Sequence, residues 1–342
     1  MGYKPSHPRK VRGEAVHQTS GEKTKEKLYN NKKKEGTAAR GHFEEGLDQK
    51  AVEATYLVPD VDYFVETPEV GDVVNRIKLW LKIGYPVHLI GPTGCGKTSV
   101  AMYVAKELGR PVVWINGDES VTTTDLIGGY SQVETETMRD KFVHNVFKSK
   151  DILKADWVDN PLTLACKYGY TLVYNEFART KAAANNVFLS VFEECILELP
   201  TKFGEERYIN VHPDFNAILT SNSVEYAGIH KPQDALLDRM VGVYMDYYGF
   251  DTEVKVVRKH TGIAASKAEE IVGVVRSLRD ALPDAQKPGT RACIMIAQGL
   301  SALNGQCDFE QLCLDVMIAK TASSAELVEK QQLITDAISG SV

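Results

Sequence analysis

A glycine-rich segment near residue 90 has the residue types and the spacing that hold a phosphate chain. It fits the pattern G-x-x-x-x-G-K-[ST] at every position and reads Gly91, Pro92, Thr93, Gly94, Cys95, Gly96, Lys97 and Thr98. The glycines let backbone N–H groups curl around phosphate oxygens, and the dipole of the following helix attracts the same anion. Lys97 would place its charge on the β- and γ-phosphates, and the Thr98 hydroxyl would bind Mg²⁺. The segment therefore predicts a nucleotide-binding loop.

Asn175 and Glu176 follow an apolar run and form a second candidate for chemistry. Hydrolysis of a nucleoside triphosphate needs one residue to hold the Mg²⁺ shell and one to activate water. Glu176 occupies the position of the general base, but the metal-side position is Asn175 rather than Asp. An amide can bind a metal-bound water but carries no charge, so Mg²⁺ should bind more weakly. Two interpretations stay open, a slow but working hydrolase and a nucleotide-binding protein with little hydrolysis, and Glu176 favours the first.

Three further polar residues occupy positions that suit contact with phosphate. Asn222 ends a later apolar run, where it could orient the attacking water or be an ordinary turn residue. Arg239 precedes the last apolar run, and alone this position says little. Arg291 follows Gly289 and Thr290 at a predicted helix start, where a cation gains nothing from the helix dipole. This position favours a ligand role for Arg291.

Positioning these residues requires a sheet with its strands in parallel. Five apolar runs alternate with helical patterns, which favours an α/β fold with helices on both faces of a parallel sheet. The runs are Val87–Ile90, Pro111–Asn116, Thr171–Tyr174, Phe215–Thr220 and Val241–Tyr244. Thr67 and Pro68 predict the start of a helix before the first run. Apolar spacing from Ala184 to Cys195 predicts one further helix.

After about Tyr248 only helical patterns follow, which predicts a small all-helical lid domain. Asp251 and Ser266 are expected to cap its first two helices, and later helical segments are predicted near 290–303 and 308–339. The 342 residues thus divide into a disordered basic tail (1–50), an α/β nucleotide-binding domain (51–248) and a helical lid domain (249–342).

The net charge of −6 hides an asymmetry, because residues 1–40 carry a balance of +7 and the rest of the chain −13. The basic tail is either a solvated charge cluster or an arm that binds a polyanion. The acidic remainder argues against a nucleic-acid motor.

Composition excludes several classes of protein. Hydrophobic residues make up 43% and charged residues 25%, as in globular proteins rather than collagen-like or mainly disordered ones. No apolar run reaches the ~18 residues of a membrane span, and no secretory signal is expected. The six cysteines form no C-x-x-C pair, so no zinc ribbon or thioredoxin-like site is predicted. A reduced, cytoplasmic protein is expected, with Cys95 as a small spacer in the loop.

In their order along the chain, these motifs resemble the MoxR branch of the AAA+ ATPases. The matching segments are Asn175-Glu176-Phe177-Ala178-Arg179, Val191-Phe192-Glu193-Glu194, Thr220-Ser221-Asn222-Ser223, Leu236-Leu237-Asp238-Arg239 and Gly289-Thr290-Arg291. Within that branch, P-T-G-C-G-K-T, L-V-Y-N-E-F and the basic tail are similar to the gas vesicle protein N family. The resemblance covers about residues 51–300, and Asn175 looks like that family's own variant.

The resemblance implies a role for each matching residue. Asn222 corresponds to sensor 1, Arg239 to an arginine finger that reaches the neighbouring subunit's γ-phosphate, and Arg291 to sensor 2 in the lid. ATP and Mg²⁺ are the implied cofactors, with Thr98 and Asn175 on the metal side. A shared site implies a homo-oligomeric ring, with a hexamer expected. Residues 125–160 correspond to the branch's insertion near the central pore, and a hairpin over 197–211 corresponds to the family's hairpin before sensor 1. The alternative for both is an ordinary surface loop.

The expected function is an AAA+ ATPase that remodels or chaperones gas vesicle shell or assembly proteins, in the cytoplasm and associated with the gas vesicle. A nucleotide-gated scaffold with little hydrolysis is the alternative. No membrane contact is expected, and nucleic acid is a disfavoured partner.

Overall fold

The computed structural model describes residues 61–139, 149–200, 207–223, 232–303, 308–318 and 323–340. The predicted basic tail, residues 1–50, lies outside the described residues, as does the expected hairpin tip at 203–205. The three-part division of the chain therefore stays a prediction.

The strands account for all five apolar runs of the sequence. In chain order they are β1 (Val87–Gly91), β2 (Val112–Asn116), β3 (Gly128–Arg139), β4 (Ser149–Asp159), β5 (Thr171–Asn175), β6 (Ile196–Glu198), β7 (Tyr208–Asn210), β8 (Asn216–Asn222) and β9 (Val241–Tyr244). Five of them form a parallel sheet in the order β2-β5-β8-β1-β9. The pairs β3–β4 and β6–β7 are antiparallel, and β6–β7 is the hairpin expected over 197–211.

Helices flank the sheet and then follow it. The described residues contain α1 (Pro68–Lys82), α2 (Lys97–Glu107), α3 (Thr123–Ile127), α4 (Pro161–Tyr168), α5 (Ala182–Asn185), α6 (Val187–Glu193), α7 (Asp234–Leu237), α8 (Phe250–Thr261), α9 (Ala265–Ala281), α10 (Thr290–Ala302), α11 (Phe309–Met317) and α12 (Ser324–Ser339). None of these combines the length and apolar character that a membrane span requires.

Alternate strand residues supply the two cores on either side of the sheet, because successive side chains of a strand point to opposite faces. Val173 and Ile218 pack in the cluster that contains the apolar sides of α1 and α2. Leu172 and Leu219 belong to the other cluster, with residues of α4 and α6. This two-sided burial of a parallel sheet confirms the predicted α/β class. A separate apolar cluster, centred on residues such as Ile271 and Ile296, joins α8 to α12.

Several local predictions were wrong. The helix expected from Ala184 to Cys195 is two helices, and Cys195 lies beyond them with a left-handed φ of 54°. The segment 308–339 is also two helices, because the Ser323 side chain accepts a hydrogen bond from the backbone N–H of Glu326 and begins a new helix.

The two predicted lid caps lie two residues too late. Asp251 and Ser266 fall in the first turns of α8 and α9, whose N-caps are Gly249 and Ala264. Asp251 can still interact favourably there with the positive end of the helix dipole.

Candidate active site

Lys97 lies at the centre of a polar cluster at the carboxyl ends of β1 and β8. Its Nζ donates hydrogen bonds to Gly91 O at 2.9 Å, Pro92 O at 2.8 Å and Asn222 Oδ1 at 3.1 Å. Gly91 and Asn222 are paired across the two parallel strands, which brings the phosphate loop and the predicted sensor together. Burial is the main cause that lowers the pKa of the Lys97 ammonium. These hydrogen bonds therefore position the Lys97 ammonium where the loop would bind phosphate.

Asn175 joins the loop to the neighbouring strands through its side-chain amide. Its Oδ1 accepts hydrogen bonds from Thr98 Oγ1 and Thr220 Oγ1, each at 3.0 Å. Its Nδ2 donates to Asn116 Oδ1 at 3.2 Å. Hydroxyl and amide oxygens are hard ligands of the kind Mg²⁺ accepts, directly or through water. The donor set fits a magnesium ion, although it lacks the carboxylate that most such sites supply.

Glu176 follows β5 in a left-handed backbone conformation, with a φ of 51°. Its backbone N–H donates to Thr220 Oγ1 at 3.0 Å, and its Oε2 accepts from Arg179 Nη1 at 2.9 Å. Gly117 packs against this turn so closely that an added Cβ would lie 2.1 Å from Glu176 O. The hydrogen bond to Thr220 and the contact with Gly117 fix the backbone of Glu176, and the hydrogen bond from Arg179 fixes its carboxylate.

Arg239 lies away from the other predicted site residues, near the amino ends of the neighbouring parallel strands β1 and β9. It precedes β9, whose first residue, Val241, donates its N–H to Pro86 O at the start of β1. Its Nε donates to Glu193 Oε2 at 2.7 Å, and its Nη1 donates to Ala235 O. The phosphate loop begins where β1 ends, roughly 13 Å along the strand. Arg239 therefore cannot contact a phosphate held by its own loop.

Arg291 lies beside the loop, in the first turn of α10. It lines a cavity of about 440 Å³ together with Gly94, Gly96 and Thr98 of the loop. Tyr63 and His260 also line this cavity, and their rings stack with centroids 5.2 Å apart. A cavity of this size next to a phosphate loop can accept a small ligand with a flat ring.

Two glycines bring α10 into contact with the loop. An added Cβ on Gly289 would lie 2.7 Å from Thr93 O and 2.9 Å from Gly94 Cα. Real Cβ atoms do not approach backbone that closely, so the contact requires glycine at 289. This contact explains why Arg291, two residues later, faces the loop's cavity.

Cys95 is the one cysteine of the phosphate loop, and its side chain is buried. Burial is also the main cause that raises the pKa of its thiol. A buried neutral thiol is a poor nucleophile, in keeping with the prediction of a small spacer.

Comparison with known proteins identifies the family. A family model described as "AAA domain (dynein-related subfamily)" matches residues 86–240. The gas vesicle ATPase GvpN of Haloferax mediterranei is 49% identical to this chain, over 98% of this chain and 97% of that protein. The chain belongs to the GvpN family of gas vesicle ATPases. This finding confirms the resemblance read from the motifs, and it makes the chain a nucleotide-binding ATP hydrolase.

Other GvpN relatives are similar over most of their length. GvpN1 of Halobacterium salinarum is 48% identical over 97% of this chain and 96% of that protein. GvpN of Ancylobacter aquaticus is 43% identical over 79% of this chain and 77% of that protein.

Sequence reasoning missed several partners of the predicted site residues. Thr220 and Asn116 hold Asn175, and Arg179 holds Glu176. Only Arg179 had a local signal, since it follows Glu176 by three residues. The other two come from neighbouring strands, which the sequence does not place in order.

Proposed function

We propose that the chain is one subunit of a homo-oligomeric ring, expected to be a hexamer, that hydrolyses ATP to remodel or chaperone gas vesicle shell or assembly proteins. The observation that carries the proposal is the distance between Arg239 and the phosphate loop, which lie at opposite ends of strand β1. An arginine that cannot reach the phosphate loop of its own subunit could contact the nucleotide bound by a neighbouring subunit. The ring would work in the cytoplasm, in association with the gas vesicle.

In the proposed binding mode, backbone N–H groups of residues 91–98 surround the phosphate chain. Lys97 contacts the β- and γ-phosphates, and Arg291 contacts the nucleotide from the lid side. The cavity beside Tyr63 and His260 takes the nucleoside. Thr98 and Asn175 would hold Mg²⁺, which supplies charge neutralisation to the phosphates when bound.

Hydrolysis would use Glu176 as the general base. Water attacks the γ-phosphorus and gives its proton to Glu176, while the bond to the bridging oxygen breaks to release ADP. Asn222 lies within hydrogen-bond distance of Lys97 Nζ, where its amide can orient the γ-phosphate or the water. Arg239 of the next subunit would stabilise the charge that develops, an effect worth ~10³–10⁵ in rate in related systems.

Mechanical work would follow from movement of the helical region as the site changes its nucleotide. The contact between Gly289 and Thr93 and Gly94 would couple that region directly to the phosphate loop. The antiparallel pairs β3–β4 and β6–β7 form two sheets separate from the parallel sheet, and they are the candidate surfaces for the partner protein. The names of the GvpN relatives, which are gas vesicle ATPases, support a gas vesicle partner.

ATP turnover measured against protein concentration tests the shared site. Specific activity should rise with concentration as rings assemble, and it should vanish in both Glu176→Gln and Arg239→Ala. Glu107→Gln is a matched control, because Glu107 pairs with Lys78 at the far end of α2 from the loop. Activity that is independent of concentration and survives in Arg239→Ala would contradict an arginine supplied in trans.

Remodelling is tested in a host whose own relative is replaced by this chain, with gas vesicles counted by electron microscopy. Glu176→Gln should abolish vesicles if hydrolysis drives assembly. A second candidate, the nucleotide-gated scaffold, draws on the uncharged Asn175. In that case Glu176→Gln would leave the vesicle count unchanged, while a loop variant that cannot bind nucleotide would lower it.

A further inference from the structure

A fully buried carboxylate lies in the helical region, outside the site described above. Glu253 of α8 has no exposed surface. Its Oε1 accepts hydrogen bonds from Arg279 Nη2 at 2.8 Å and Thr290 Oγ1 at 2.7 Å. Its Oε2 accepts from Arg279 Nη1 at 3.1 Å and Arg276 Nη1 at 2.9 Å. The two arginines belong to α9 and Thr290 begins α10, so one carboxylate joins three helices.

The buried cluster also reaches the phosphate loop. Arg279 lies over the ring of Tyr247, with its guanidinium carbon 3.9 Å from the ring centroid. The Tyr247 hydroxyl donates to Thr93 O in the loop at 3.3 Å. Arg276 donates to Tyr248 O at 2.9 Å, which fixes the segment between β9 and α8. The cluster therefore holds the connection between the sheet and the helical region.

A second set of contacts connects the buried cluster to the phosphate loop through the turn before α10. Arg279 Nε donates to Pro288 O at 3.0 Å, while Thr290 donates to Glu253. These contacts hold both neighbours of Gly289, the residue that touches Thr93 and Gly94. Arg291 is the next residue after Thr290, and its position at the cavity follows from this turn.

We propose that Glu253 and Arg279 are positioning residues that hold Arg291 against the phosphate loop, so that nucleotide affinity depends on a carboxylate remote from the nucleotide. The inference rests on the proposed role of Arg291 in binding nucleotide. Removing the charge of Glu253 leaves two arginines without their buried partner and loosens the turn at 288–290. The competing explanation is that the cluster only packs α8, α9 and α10 together.

A double-mutant cycle separates the two explanations. The equilibrium Kd of a fluorescent ATP analogue is measured at fixed Mg²⁺ for the full chain, Glu253→Gln, Arg291→Ala and the double variant. Each single change should raise the Kd about tenfold, and the double variant should be no weaker than the weaker single variant. Multiplied effects, about a hundredfold together, would overturn the inference. An unchanged Kd in Glu253→Gln would also overturn it.

Two further variants keep the test interpretable. Glu270→Gln makes the same change in the exposed pair with Lys267 on α9 and should leave the Kd unchanged. If Glu253→Gln does not fold, Arg279→Lys replaces it in the cycle, because lysine keeps the charge but loses the contact from Nε to Pro288 O. The readout does not depend on turnover. Absence of analogue binding by the unchanged chain would overturn the proposed function and this inference together, whereas binding with multiplied effects would overturn this inference alone.

Discussion

The Thr98 hydroxyl donates a hydrogen bond to the side-chain oxygen of Asn175 at 3.0 Å. The other end of the amide donates to Asn116, which turns the Asn175 oxygen toward the phosphate loop. A neutral amide thus occupies the place where a charged carboxylate would bind Mg²⁺ more strongly. The strength of the proposed metal site depends on this one residue.

Asn175→Asp should increase the affinity of the site for Mg²⁺. The added charge should lower the Mg²⁺ concentration that gives half-maximal ATP turnover by roughly tenfold, as expected for a nearby opposite charge. The Asn116 amide can turn to donate to the new carboxylate. Turnover measured across a Mg²⁺ titration checks this.

Asn186→Asp adds the same charge at an exposed position between α5 and α6 and serves as the control. A half-saturating Mg²⁺ concentration that does not move in Asn175→Asp would remove Asn175 from the metal site.

Mixing two inactive variants should restore activity if Arg239 acts in trans. A Glu176→Gln subunit keeps its arginine and an Arg239→Ala subunit keeps its base, so one kind of interface between them is complete. In an equimolar mixture, ATP turnover should recover to roughly a quarter of the unchanged protein's, since an arginine finger is worth far more than the residual rate.

The control mixes Glu176→Gln with the double variant Glu176→Gln/Arg239→Ala, in which every site lacks its base. Recovery there, or no recovery in the first mixture despite ring formation by light scattering, would count against a shared site.

Gly289→Ala should weaken nucleotide binding, because the new methyl group would meet the backbone of Thr93 and Gly94 within 3.0 Å. Relieving such overpacking costs about 1–3 kcal/mol, so the Kd for ATP should rise roughly tenfold. Gly273→Ala, in the middle of α9, is the control, since its added Cβ meets nothing within 4 Å. It should leave the Kd unchanged and stabilise the helix by up to about 1 kcal/mol. Equal effects of the two changes on affinity would refute the close contact.

His88 should make the fold sensitive to acid. Burial lowers the pKa of His88 to about 4, whereas in the unfolded chain it stays near 6.5. The unfolded state therefore binds more protons between these values, and the free energy of unfolding should fall as the pH drops from about 6.5 toward 4. The expected loss from this group is up to about 3 kcal/mol.

Denaturant unfolding at several pH values measures this contribution. His88→Gln loses the contact with Ser221 and should be less stable at pH 8, but its stability should fall less steeply below pH 6.5. Parallel curves for the two proteins would show that His88 does not carry the effect.

Local patterns predicted the phosphate loop, the five strands of the sheet and the α/β class. These features depend on neighbours along the chain, because glycine spacing shapes a loop and apolar runs form buried strands. Helix boundaries were less predictable where a break is small, as between Asn185 and Val187. A cap was missed at Ser323, although Glu326 three residues later is a sequence signal for it.

The assembly of the site depended on contacts between distant segments. Lys97 meets Asn222 because β1 and β8 are neighbours in parallel register, and the strand order that makes them neighbours has no local signal. Because β1 and β9 are parallel, Arg239, which precedes β9, lies at the opposite end of the strands from the loop, which follows β1. Glu253 was not among the residues singled out from the sequence, because only burial in the folded chain brings it together with Arg276, Arg279 and Thr290. Residue types and spacing determined the local motifs of this chain, whereas burial and the pairing of distant strands and helices determined which of those residues are in contact.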